Sequence, residues 1–97
     1  MKGEVNMVTA IVLVNVNRPE LSEVIKKLLA IEGVTEVYTV AGEYDIAVVL
    51  RVKDNSVLSE IVADKMPHQI TGITRTKTLI ALKTYSDFDI EKIFRKK

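Results

Sequence analysis

Val34-Thr35-Glu36-Val37-Tyr38-Thr39-Val40-Ala41-Gly42-Glu43-Tyr44-Asp45-Ile46-Ala47-Val48-Val49-Leu50 is the stretch that decides the fold. Residues 34–41 (VTEVYTVA) are rich in β-branched and aromatic types, as strands are. Tyr44 starts a second such run, Ile46 to Leu50. Gly42-Glu43 between them, with Gly first, has the composition of a type II′ hairpin turn. The segment therefore reads as two consecutive antiparallel strands.

Upstream, Asn17-Arg18-Pro19-Glu20 opens a helix. Asn17 or Arg18 sits near the cap, Pro19 suits the first turn, and Glu20 and Glu23 complement the dipole. Leu21, Val24, Ile25, Leu28 and Leu29 recur at helical spacing, and Gly33 reads as the stop. Before this helix, Val8 to Val14 is an apolar run bounded by Asn-rich punctuation, and it reads as the first strand. It is too short to span a bilayer and no small-residue cleavage pattern follows it, so it is not a signal peptide.

Downstream, Asp54, Asn55 and Ser56 offer caps for a second helix carrying Val57, Leu58, Ile61 and Val62, and Met66-Pro67 is read as its end. After a loop containing Gly72, Ile73 to Lys83 reads as a fourth strand. Asp87 or Asp89 would cap a last short helix with Ile90, Ile93 and Phe94. The order strand, helix, strand, strand, helix, strand predicts an α+β ferredoxin-like βαββαβ sandwich: a four-stranded antiparallel sheet with two helices on one face.

A chain of 97 residues is expected to form a single domain over residues 1–97. It is 47% hydrophobic and only 5% aromatic, enough for an aliphatic core. Fourteen basic and thirteen acidic side chains leave a net charge of +1, so no global field exists to hold nucleic acid or an anionic membrane. The basic run Arg95-Lys96-Lys97 reads as a solvated tail. With no cysteine, disulfides and thiolate chemistry are excluded, in keeping with an expected cytoplasmic location.

The strands are apolar on both faces. Val12 and Val14 oppose Ile11 and Leu13, Ile46, Val48 and Leu50 oppose Ala47 and Val49, and Ile80 and Leu82 oppose Leu79 and Ala81. Two helices cover one face only. Half a dozen aliphatic side chains left wet, at ~1.5–3 kcal/mol each, would forgo an amount comparable to a small domain's stability. A second copy in a two-fold dimer is the simplest cover, and the C-terminal helix folding back is the alternative.

Little in the chain suggests catalysis. His68, the only histidine, has no nucleophile in its motif and reads as ordinary surface. No paired carboxylates and no metal-ligand spacing appear, and the four glycines form no phosphate-binding motif, so neither cofactor nor metal is expected. Two features remain. Asp45 lies just beyond the Gly42 turn, and Thr74, Thr76 and Thr78 alternate along one strand and so are expected on one face. A carboxylate for an ammonium, with hydroxyl or backbone N–H donors for a carboxylate, would suit a zwitterion.

The segment Val34–Ile46 resembles the "V-x-E-x-y-x-V-x-G-x-Y-D" core of the Lrp/AsnC regulators. Ile73–Lys83 resembles that family's last strand, "V-x-R-T-x-T-x-I-x-L-K", although the usual "Pro-Gly-Val" before it is spread over Pro67 to Ile73. Most of the chain is thus similar to the ligand-sensing RAM (regulation of amino-acid metabolism) domain. The resemblance implies a ferredoxin-like domain that dimerises through its sheet, assembles into octameric or similar rings, and binds an amino acid between dimers. It also implies Gly42, Tyr44 and Asp45 as pocket residues, with Thr76 and Thr78 supplied by a neighbouring chain. Only seven residues precede Val8, too few for a helix-turn-helix, so a stand-alone module without direct DNA contact is expected. Its partners would be copies of itself and full-length Lrp/AsnC regulators. Two alternatives share this architecture: a small dimeric α/β-barrel enzyme that would lean on His68, and an ACT-like regulatory domain.

Overall fold

A computed structural model describes residues 7–85. Strand β1 (Val8–Val16) is followed by a 3-10 turn (Arg18–Glu20) and helix α1 (Leu21–Leu29). Strands β2 (Val34–Thr39) and β3 (Ile46–Val52) come next, then α2 (Asn55–Glu60), a π-turn (Ile61–Lys65), α3 (Met66–Gln69) and β4 (Ile73–Ile80). The sheet order is β2-β3-β1-β4, with every neighbouring pair antiparallel. This is the ferredoxin-like arrangement, with each strand–helix–strand unit leaving room for one strand of the other.

Register decides which side chains meet the helices. Val12 pairs with Val48 and Thr78, and Val14 with Ile46 and Thr76, so these residues share one face. On that face Ala10, Val12, Val14, Ile46, Val48, Leu50 and Val52 are buried under Val24, Leu28, Leu58, Ile61, Met66 and Ile70. The opposite face carries Ile11, Leu13, Ala47, Val49, Tyr38 and Leu79. Among these, Ile11 is 37% exposed, Leu79 44% and Tyr38 51%. The second apolar face is therefore real and, among the described residues, uncovered.

Several boundaries differ from the sequence reading. The β2–β3 connection is not a two-residue hairpin. Val40 donates its N–H to the Asp45 carbonyl at 2.9 Å, closing a loop over residues 41–44, and the Asp45 N–H turns instead to the Val14 carbonyl at 3.0 Å. Helix α1 ends at Leu29, so Gly33 is not its stop but the residue that turns the chain into β2. Asn17 is the N-cap of the 3-10 turn, as its place before Pro19 implies, but it caps through its backbone: its side chain makes no cap bond and its carbonyl accepts the Glu20 N–H.

The second helix does not end at Met66-Pro67 but continues to Gln69. Proline lacks an N–H, and its ring crowds the carbonyl four residues back. The turn just before it is widened, with the Met66 N–H reaching the Ile61 carbonyl five residues behind, and that loosening accommodates the ring. Strand β4 ends at Ile80, so Leu82 is 93% exposed beyond the sheet rather than on a face. The last helix expected after Asp87 lies outside the described residues, as does the Arg95–Lys97 run.

Candidate functional site

The loop 40–45 is held in place by its own last residue. Asp45 Oδ2 accepts a hydrogen bond from the Val16 N–H at 3.0 Å, beyond the point where β3 stops pairing with β1. A charged acceptor on a backbone amide is among the stronger hydrogen bonds. The carboxylate thus caps the sheet, and one of its oxygens is committed within the chain. Gly42 sits at the loop tip with φ +137°, a region that L side chains rarely adopt, and nothing lies within 4 Å of where a Cβ would be. The glycine is there for backbone conformation, not for packing.

Tyr44 is half-buried, and its ring lies under the Arg75 guanidinium, 4.9 Å from Cζ to ring centroid. Such a pair contributes ~0.5–1 kcal/mol where water reaches it. Arg75 pairs in register with Asn15, which puts it on the uncovered face. Sequence reasoning quoted Arg75 within a motif but gave it no role. The signal was available: in a strand it must project opposite to Thr76.

Thr76 and Thr78 lie on the helix-bearing face beside Val14 and Val12, both half-buried. Thr74 does not join them. The register of β4 slips between Asn15 and Val16, which pair with Arg75 and Ile73, and the bulge takes Thr74 out of the alternation. Within one chain, Tyr44 with Arg75 and the two threonines therefore project from different faces. Asp45 and Thr76 nonetheless flank the same residue, Val14, which takes the Asp45 N–H on one side and pairs with Thr76 on the other.

His68 is exposed on α3, with no acid or nucleophile bonded to it among the described residues. No group of three or more His, Asp or Glu that could hold a metal occurs among the described residues, and no helix there is long and apolar enough to cross a membrane.

Comparisons with known proteins bear on this arrangement. The model of the Lrp/AsnC ligand binding domain matches residues 9–90. The HTH-type transcriptional regulator FL11 of Pyrococcus furiosus is 32% identical over 80 residues, which are 82% of this chain and 52% of that protein. The chain spans about half the length of the curated relatives it matches. The crystal structure of TTHA0845 from Thermus thermophilus superposes with a TM-score of 0.75 at 30% identity, covering 82% of this chain and 99% of that one. A feast or famine regulatory protein of M. tuberculosis, complexed with L-methionine, superposes at 0.72 with 25% identity, covering 88% of this chain and 57% of that one. The matched relatives are named as transcriptional regulators and the matched domain is a regulatory ligand-binding one, not an enzyme. With the match running through β1, the loop 40–45 and β4, the chain belongs to the Lrp/AsnC ligand-binding domain family.

Proposed function

We propose that this chain is a single effector-binding domain over residues 1–97 that binds an amino acid. On this reading it works in the cytoplasm as a homo-oligomer and tunes transcription through full-length Lrp/AsnC-type regulators without touching DNA itself. The observation that carries the reading is the ligand-binding-domain match, which takes in both the Gly42–Asp45 loop and the Thr76/Thr78 strand. The L-methionine complex of the M. tuberculosis relative supports an amino acid as the class of effector.

The split within one protomer supports a pocket shared between chains. Gly42, Tyr44 and Asp45 would come from one chain, and the hydroxyls of Thr76 and Thr78 from a neighbour. The uncovered face around Ile11, Leu13 and Val49 supplies the dimer contact, and dimers would build octameric or similar rings. Since one Asp45 oxygen already serves Val16, the loop amides and the remaining oxygen are left to meet the ligand.

Isothermal titration calorimetry with the standard amino acids tests this. The wild type should bind one of them, and Thr78→Val should weaken that binding by about fivefold or more, as expected for a lost hydrogen bond. Unchanged affinity in Thr78→Val and in Tyr44→Ala would remove the pocket from this location.

A further inference from the structure

A separate feature lies on the helix layer, and none of its lining residues belongs to the loop 40–45 or to β4. Two recesses of about 410 and about 470 Å³ share Glu32 and Lys65 in their walls. Both volumes fall within the ~300–1,000 Å³ range of small-molecule sites. Their floors are apolar, with buried Ile70 in the first and buried Val52 and Ile61 in the second.

The rim is cationic. Lys27 and Lys65 line one recess, and Arg51, Lys53 and Lys65 the other, with Glu32 the one carboxylate in either lining. Arg51 pairs in register with Thr9 and so projects from the other sheet face, where its guanidinium donates to Thr35 Oγ1 at 2.6 Å, which leaves three lysines, Lys27, Lys53 and Lys65, against Glu32 in this groove. Among the described residues Arg51 reaches Glu36 at 3.9 Å, whereas Lys27, Lys53 and Lys65 make no ion pair. Cations gathered around a recess with low-dielectric walls repel one another and raise the local positive potential. Lys65, half-buried at the end of the π-turn, stands where the two recesses meet.

We infer that this groove binds a small phosphate-bearing molecule with an apolar or flat body. An amino-acid zwitterion has one carboxylate and would answer few of the three lysines. A molecule with several phosphate charges answers them all, and its body covers the aliphatic floor. Lys65 serves both recesses and is the central contact; Glu32 opposes binding and limits its strength. The site is separate from the amino-acid pocket and does not depend on it.

Calorimetry on the full chain at physiological salt, with ATP as the probe, tests the inference. Saturable binding of one ATP per chain is expected. Lys65→Gln and Lys27→Gln should each weaken it by about tenfold, the size of one hydrogen bond to a charged group. Glu32→Gln should tighten it, and an added pool of amino acids should not compete. Lys26→Gln is the control, because Lys26 reaches Glu23 and lies outside both linings. Absence of saturable binding at millimolar ATP would overturn the proposal. So would equal weakening by Lys26→Gln and Lys65→Gln, which would mean diffuse charge attraction and no site.

Discussion

Asp45 shows how a residue named for one job can be held to another. In sequence it is a carboxylate next to a turn, available to an ammonium. In the fold its Oδ2 receives the Val16 N–H and its own N–H goes to Val14, so it joins the loop to β1. Asp45→Ala would strand a half-buried amide at a cost of ~1–3 kcal/mol. We expect a lower urea midpoint for that variant, with Asp45→Asn, which keeps an acceptor oxygen, falling between it and wild type. Equal midpoints for all three would show that the bond carries no stability. Gly72 is a second such position: with φ +108°, an added Cβ would meet Glu20 Oε1 at 2.5 Å and Val24 Cγ2 at 3.1 Å. Gly72→Ala should therefore destabilise the fold by ~1–3 kcal/mol in chemical denaturation. Neither role could be read from residue type, because both depend on partners 29 and 52 positions away in the chain.

At the scale of elements, local chemistry was legible where it acts locally. Asp54 accepts the Val57 N–H at 2.9 Å, as its place before an apolar helical run implies. Asp54→Ala should cost ~0.5–2 kcal/mol, read as a shift in the thermal midpoint without change of fold. The same helix shows where reading by punctuation stops working. Met66 and Ile70 bury their side chains on either side of Pro67, and that packing carries the helix through a residue that on its own ends one. In the same way, Leu29 fits the apolar spacing of α1 yet is 54% exposed, because Val24 and Leu28 already fill the space against the sheet. The hairpin between β2 and β3 was expected from Gly42-Glu43, but its length was set by a pairing of Val40 with Asp45 that composition does not encode. Strand order and the two-helix layer followed from the alternation of elements alone.

The whole molecule turns on what covers the second sheet face. Val12 and Val14 lie under helices while Ile11 and Leu13 on the same strand do not, so the surplus hydrophobicity read in the sequence is a physical surface among the described residues. A charge at its centre should prevent a second copy from docking. Leu13→Glu is expected to shift the protein to monomer in analytical ultracentrifugation while its circular dichroism stays that of the wild type. An unchanged oligomer would move the contact elsewhere. The candidate site is legible only in part at this scale: Tyr44 and Thr78 are recognisable in the chain, but they project from different faces, so the proposed pocket would need a second chain to complete it.

Native mass spectrometry of the purified protein, with and without the standard amino acids, tests this central claim most directly. A dimer or larger even-numbered assembly that gains the mass of one amino acid per subunit is expected. A monomer that takes up an amino acid unaided, or an assembly that takes up none, would contradict it.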